Sequence, residues 1–546
     1  MKLPMKFFSR FRSRARPVDP DATLISGYHS NPLGRPAQVA LFIILAGVFL
    51  GYGFLHGITT PFQTMPLTAP LAVLVGLVVW ALPPGERTPW RAIEPLYLAF
   101  FVSLTMWPDY LAMALPNLPW ITLKRMFAAP LALVFLICIS ISRDYRANLL
   151  KVVSHDKVIW RALVIFSIMQ IASIIISTNP AASLSKTIVF QLNCTLIFFA
   201  SCFLFNIERF PTKWAWSLMI SGYVVCFFGF WEGRLAILPW AGHIPSFLKI
   251  EDESVLRVLG GVIRSAKGIH RVQSISTTPL GMSELLGLIA PFALYLAISS
   301  KSKVLRVISV LFIPVAFQTI LTADSRLGLV AMLCAILFYM LIWGALKWRR
   351  EAGSLFAPAL VLAYPVLFTT TMMATFFVGR IRRRIWGDGS QAASDESRSI
   401  QWAMGLPKIA THPFGHGYGR AAQDLGYVQP GGILTIDSYY LSLLMDFGLL
   451  GLVVYFTMIL RAIWISARTA VMHKVAGELG LLLPMAVSLT NFVIVKSVLS
   501  QDANHPVVFM MLGGVVALSY RAMQAAQANP AVPAVDRSHA SAAPAR

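Results

Sequence analysis

The chain is divided, almost from end to end, into apolar runs about as long as a hydrocarbon layer is thick, and nothing else limits its fold as strongly. A ~30 Å layer takes roughly 18 to 20 helical residues. Inside it every backbone N–H and C=O needs a protein partner, so only helices or closed barrels cross. Barrel strands would show as ~10-residue alternating segments, and the sequence contains none. Runs of helix length are expected at 37–56, 67–82, 92–107, 126–142, 159–177, 186–207, 215–231, 280–299, 303–322, 326–346, 354–378, 439–466, 476–495 and 505–521. The expected fold class is all-α, a polytopic integral membrane bundle of about 12–14 transmembrane helices. The lower count allows for Pro83, Pro84 and Pro95, which crowd the ends of the second and third runs.

The chain is 57% hydrophobic and 13% charged, yet its net charge is +22. Its lysines and arginines sit between runs rather than on one soluble face, which suits membrane orientation and anionic lipid and argues against nucleic acid. The short loops alternate. GERTPWR, SRDYRANLLKVVSHDK, ERFPTK, SKSKVLR, KWRR and RAIWISARTAVMHK are basic, whereas HGITTPFQTMP, STNPAASLSK, LTADSR and VKSVLSQDANHP are nearly free of positive charge. This bias puts both termini on the cytoplasmic side. The start, MKLPMKFFSRFRSRARP, is too basic and too broken for a cleaved signal. Cys138, Cys194, Cys202, Cys226 and Cys334 all lie in apolar runs without a CxxC pair, which reads as core packing rather than disulfides or metal.

The expected organisation is a basic tail (1–36), helices over 37–231, an outer loop over 232–279, central helices over 280–378, a large outer loop over 379–438, C-terminal helices over 439–521 and a disordered tail over 522–546. The two long outer segments escape the charge rule. The first carries Arg234, Lys249, Arg257, Arg264, Lys267 and Arg271; the second carries Arg380, Arg382, Arg383, Arg384, Arg398, Lys408 and Arg420. Such segments suit an anionic ligand, or the headgroups of anionic lipid.

Four constellations could carry chemistry. Thr322-Ala323-Asp324-Ser325-Arg326 lies between two spans, where Arg326 could pin a helical hairpin through Asp324 or hold a phosphate. His270-Arg271 leads through Pro279 to Glu284, a carboxylate one turn into a span, for which Arg271 and Arg326 are candidate partners. Pro413-Phe414-Gly415-His416-Gly417-Tyr418-Gly419 has no preceding strand and so is no dinucleotide fingerprint. His412 and His416 lack the HExxH glutamate, and the glycines suit close passage of backbone past a ligand or a helix end. Thr435-Ile436-Asp437-Ser438-Tyr439 opens an apolar helix; Asp437 stands where an N-cap belongs, or serves as a base at the membrane surface.

In their order and spacing these residues resemble the O-antigen ligase and Wzy-type polysaccharide polymerase superfamily. The matching pieces are Ser325-Arg326, Arg398 ahead of Ile400-Gln401-Trp402, Pro413 to Gly419, Asp437 to Leu441 and Gly448 to Gly451, within about 255 to 455. The resemblance implies a GT-C-like bundle with a long periplasmic loop, acting at the bacterial inner membrane on undecaprenyl-diphosphate-linked glycans by inverting glycosyl transfer without metal or cofactor. It implies Asp437, Arg326 and Arg398 as catalytic residues. Arg271, Arg382, Arg383, Arg384, Glu284, Ser325, His412, His416 and Tyr439 are then expected to bind substrate. Members that act as ligases typically carry His-Asn where this chain has Asp437-Ser438. That departure favours a polymerase of exopolysaccharide or O-antigen repeat units over a ligase or protein O-oligosaccharyltransferase. A chain-length-regulating co-polymerase is a conceivable partner. A lipid-linked sugar flippase is the reading from another class, but transporters carry charge inside broken mid-membrane helices, and here charge gathers at the outer ends.

Overall fold

A computed structural model describes residues 35–58, 73–83, 88–113, 121–250, 253–259, 270–350, 353, 355–379, 382, 392–429, 432–472 and 477–528. The chain forms two compact units, Met1–Trp90 with Val134–Lys151, and Arg91–Leu133 with Val152–Arg546. In the first, helix α1 (Arg35–Ile58) carries the apolar stretch Val39–Tyr52. A short helix over 73–80 is tied to the 134–151 segment by Ser140 Oγ, which donates to the Val79 carbonyl at 2.6 Å.

The remaining helices, in chain order, are α2 (Ile93–Met106), α3 (Leu123–Ile141), α4 (Arg143–Val153), α5 (Lys157–Ile176), α6 (Pro180–Leu204), α7 (Phe210–Leu235), α8 (Glu253–Leu259), α9 (Pro279–Ser299), α10 (Lys303–Thr322), α11 (Arg326–Arg350), α12 (Phe356–Phe377), α13 (Ala392–Thr411), α14 (Ala421–Leu425), α15 (Tyr439–Met472), α16 (Leu482–Lys496) and α17 (His505–Ala528). Among the described residues, eleven helical segments are long and apolar enough to cross a membrane, one of them α16 extended by its leading 3-10 turn from Gly477. Polytopic all-α architecture is thus what the chain adopts. The other three apolar runs of the sequence fall on α1, the 73–80 helix and α2. With 14 residues, α2 rises only ~21 Å, short of a full crossing.

Burial sorts the helices. The apolar stretches of α9 and α17 are 78% and 83% buried, that of α12 only 6%; α9 and α17 therefore form the middle of the second unit, while α12 turns its side chains outward, as hydrocarbon-facing helices do. One feature has no counterpart in the sequence analysis. Three short strands, β1 (Leu111–Met113), β2 (Ile121–Thr122) and β3 (Leu248–Ile250), pair antiparallel in the order β2-β1-β3, with Ala112 opposite Thr122 and Lys249. Val255 of α8 packs on Tyr110 and Leu111 beneath them. Strands of two or three residues are too short to leave a periodic signal.

The glycine-rich turn and the Asp446-Phe447-Gly448 stretch interlock. Gly448, inside α15, has φ 68° and ψ −169°, a region essentially reserved for glycine. The kink exposes two carbonyls, and the turn takes them: His416 N donates to Met445 O at 2.8 Å and Gly417 N to Asp446 O at 3.2 Å. Asp446 in turn accepts from Arg420 N and Ala421 N at 3.0 and 2.9 Å, at the start of α14. A Cβ on Gly448 would lie 1.7 Å from the Pro413 carbonyl oxygen, and one on Gly415 would lie 2.3 Å from that of Asp446. Gly448→Ala is therefore expected to cost about 1–3 kcal/mol in backbone strain before any clash. It should lower the thermal midpoint of the purified protein, whereas Gly47→Ala, whose Cβ meets open space, should leave it unchanged.

Candidate functional site

The C-terminal ends of α7, α10 and α16 meet the N-terminal ends of α9, α11, α15 and α17, and the sequence motifs collect there. Glu232, fully buried near the end of α7, organises the approach to α9. It accepts from His270 Nε2 at 2.8 Å, from Gln273 N at 3.1 and 3.2 Å and from Ser274 N at 2.6 Å. Ser274, at φ 54°, is also anchored by its hydroxyl to the Val225 carbonyl at 2.7 Å. This clamp delivers Arg271, whose Nε and Nη2 donate to the carbonyls of Ala323 and Asp324 at 3.1 and 3.2 Å. Burial loosens the Arg271 guanidinium's hold on its proton, and Asp324 restores part of it. Sequence reasoning missed Glu232; the signal available was a carboxylate one residue beyond an expected span.

Arg326 and Arg398 come together across the turn between α10 and α11 and the first turns of α13. Their shared partner is Asp395: Arg398 Nη1 lies 2.9 Å from one carboxylate oxygen and Arg326 Nη1 3.5 Å from the other. Asp395 is 56% exposed, while Arg326 and Arg398 are 21% and 27% exposed. Two half-enclosed guanidiniums thus bracket one carboxylate at the rim. Arg398 Nε is buried with no hydrogen-bond partner among the described residues. The ion pair of Arg326 with Asp395, rather than with its chain neighbour Asp324, was not legible in sequence. Ser325 works locally: its hydroxyl accepts from Gly328 N at 3.0 Å and caps α11.

Asp437 stands beside Arg398. Burial raises its carboxyl above the ordinary range, and the Arg398 charge with a Gln401 hydrogen bond draws it partly back. Gln401 grips it twice, donating Nε2 to Oδ2 at 3.3 Å and accepting the Asp437 N–H at 2.8 Å. The N-cap role considered for Asp437 belongs to its neighbour, because Ser438 Oγ accepts from Leu441 N at 3.5 Å. The Asp437 carboxylate is therefore not spent on the helix end.

The other expected residues are placed as follows. Glu284 pairs with neither Arg271 nor Arg326: its buried carboxylate meets Lys496 Nζ at 2.9 Å and accepts from Asn504 Nδ2 at 2.8 Å. The expectation failed because Lys496, at the far end of α16, arrives only through helix packing. Tyr439 is buried, its ring 4.7 Å from His505 and 5.6 Å from Lys496 Nζ. The His412 and His416 rings lie 4.6 Å apart; His412 meets Thr411 Oγ1 at 3.0 Å and His416 the Met445 carbonyl at 3.1 Å. Among the described residues no three His, Cys, Asp or Glu side chains come together as could hold a metal ion. Arg382 is exposed, and Arg380, Arg383 and Arg384 lie outside the described residues.

Residues 311–456 match the family model described as O-antigen ligase. Over that segment, about a quarter of its length, the chain is similar to this family. No curated protein matches the chain. The matched segment contains Arg326, Asp395, Arg398, Gln401, Asp437 and the interlocked glycine motifs, whereas Arg271, Glu284 and Lys496 fall outside it.

A separate cavity of about 340 Å³ is walled by α2, α6, the segment before α9 and the segment before α17. A π turn over Gln191–Thr195 in α6 brings Asn193 and Cys194 to its wall. Lys186 Nζ meets Asp502 at 2.7 Å and Lys124 Nζ meets Asp109 at 2.6 Å. Lys186 and Asp502 sit deep in the protein, yet are 44% and 46% accessible because they face this space. Burial alone would raise the Asp502 carboxyl, but Lys186 above all holds it below the usual range. Lys186, Asp502, Lys124 and Asp109 did not stand out in sequence, since each is a charged residue at the margin of an apolar run.

Proposed function

We propose that this membrane enzyme transfers glycans from undecaprenyl-diphosphate-linked oligosaccharide donors and polymerises repeat units into exopolysaccharide or O-antigen at the periplasmic face of the inner membrane. The observation that carries this reading is the bracket of Arg326 and Arg398 around a single exposed carboxylate, next to a buried Asp437. Guanidinium forks match phosphate oxygens as well as they match carboxylate. A diphosphate entering the bracket displaces Asp395 and is held by both arginines, with Arg271 bordering the same turn. Negative charge grows on the diphosphate as the C1–O bond breaks, and preorganised cations lower that barrier without a metal. Asp437 accepts the proton of the acceptor hydroxyl as it attacks C1 from the face opposite the departing diphosphate, which inverts the anomeric centre. Asp437-Ser438 in place of His-Asn favours polymerisation over ligation.

Purified protein in liposomes supplied with a synthetic undecaprenyl-diphosphate repeat unit tests the reading. A ladder of lipid-linked products is expected on gels. Transfer to a different added acceptor with no ladder would support a ligase, and passage of repeat units across the bilayer without any product would support a flippase.

The shared carboxylate yields a further expectation. An exposed ion pair contributes at most about 1 kcal/mol, so Asp395→Asn should tighten binding of inorganic diphosphate roughly two- to fivefold, measured by titration calorimetry. Weaker binding in that variant would show that Asp395 orients the arginines instead of competing for them.

A further inference from the structure

The cavity differs in charge from the arginine bracket. Its two lysines are each matched by a carboxylate, Lys186 by Asp502 and Lys124 by Asp109, so the wall has no net positive charge to offer a phosphate. What it offers are neutral polar groups and flat rings: Asn193, Thr277 and Thr278 with Trp107, Phe190 and Tyr418. Two of its polar side chains are left wanting. His505 is 1% exposed, lines the cavity, and has neither ring nitrogen hydrogen-bonded among the described residues; Asp109 Oδ1 is buried in the same state. Buried groups of this kind are costly unless something pairs with them.

We propose that this cavity is the acceptor-sugar site and takes an uncharged saccharide, the terminal one or two residues of the growing or incoming glycan; the assignment to the acceptor rests on the glycosyl-transfer reading above. Sugar hydroxyls both donate and accept, which is what an imidazole with one N–H and one bare nitrogen, and a carboxylate oxygen, require together. Trp107, the exposed ring of the three, offers an apolar face to the C–H side of a pyranose. The volume, about 340 Å³, lies at the small end of the ~300–1,000 Å³ seen for ligand sites, which fits a mono- or disaccharide and excludes a polyprenyl chain. Position supports the acceptor rather than the donor. The cavity wall before α9 follows directly from the Arg271 segment, and the wall before α17 begins at Gln501, next to Ser500, whose hydroxyl donates to the Ile436 carbonyl, one residue from Asp437. Gln501 joins the two walls by accepting from Thr278 Oγ1 at 2.5 Å. The two walls are thus joined through the chain to the segments that carry Arg271 and Asp437.

The test is direct binding to the full chain in nanodiscs, with saturation-transfer NMR on a panel of neutral methyl glycosides and calorimetry on inorganic diphosphate. At least one glycoside is expected to bind, and to remain bound at saturating diphosphate. His505→Phe keeps the ring packing and removes both nitrogens, while Asn193→Leu fills the space; each should weaken the glycoside roughly tenfold or more and leave diphosphate affinity unchanged, which also reports that the fold is intact. The proposal is overturned if no glycoside binds while diphosphate does, if both variants bind glycoside like wild type, or if glycoside and diphosphate exclude one another. Should glycosides bind as expected and diphosphate not bind at all, the cavity assignment is supported and the arginine reading falls.

Discussion

Arg326→Ala and Arg398→Ala are each expected to remove the lipid-linked ladder while leaving the protein folded. Loss of one preorganised donor at a developing oxyanion costs on the order of 10²–10³ in rate, and a diphosphate leaving group presents more charge than a single oxyanion. The fold has little at stake. Both side chains are partly exposed and share a carboxylate that is itself 56% exposed, so the stability lost is about 0–1 kcal/mol. Gel analysis of products together with a thermal melt separates these outcomes. Lysine at either position should recover only a minor part of the activity, since a point charge cannot reproduce the two-pronged fork. Arg271→Ala should behave differently. Arg271 donates to two backbone carbonyls at the 323–324 turn, and its removal leaves them unpaired, so stability and activity fall together. An active Arg326→Ala protein with a normal ladder would remove the bracket from the mechanism.

Asp437→Asn is expected to lower the rate by roughly 10²–10⁴, the usual contribution of a positioned general base. Binding of inorganic diphosphate should survive in the same variant, because the bracket is intact. Burial raises the Asp437 carboxyl above its ordinary value, which fixes two signs. As a base it must be ionised, so wild-type activity should fall as pH drops through that raised value, giving an acid limb above the usual carboxylate range. For stability the sign is reversed: a carboxyl whose folded pKa is raised costs the folded state something once both states are ionised. Asn removes that cost and retains an amide for Gln401, so the melting temperature should hold or rise slightly. Ser438→Ala is the companion measurement. It deletes the cap of α15 at about 1 kcal/mol and should keep the ladder, whereas a pure capping role for this pair of residues would give the opposite ranking.

The amino-acid sequence by itself determined the class of fold and the short list of charged residues worth following. Hydropathy suffices for the first, because a helix in hydrocarbon satisfies its backbone within its own segment and therefore announces itself locally. Arg326 and Asp437 stood out for a related reason: charge is scarce in this chain, and these two flank long apolar runs, while Arg398 stood out by its place in the motif order. Tertiary structure decided who meets whom. Asp395 as the common partner of two arginines, Lys496 as the partner of Glu284, and Glu232 as the clamp behind Arg271 all join residues far apart in the chain. Ser438 rather than Asp437 as the cap was decided by where α15 begins, a shift of one residue that hydropathy does not resolve. The cavity was the least legible feature, because its wall takes isolated polar residues from α2, α6 and the segments before α9 and α17. Each looks unremarkable beside its chain neighbours, and the set exists only once helix packing has brought those four stretches to one end of the bundle.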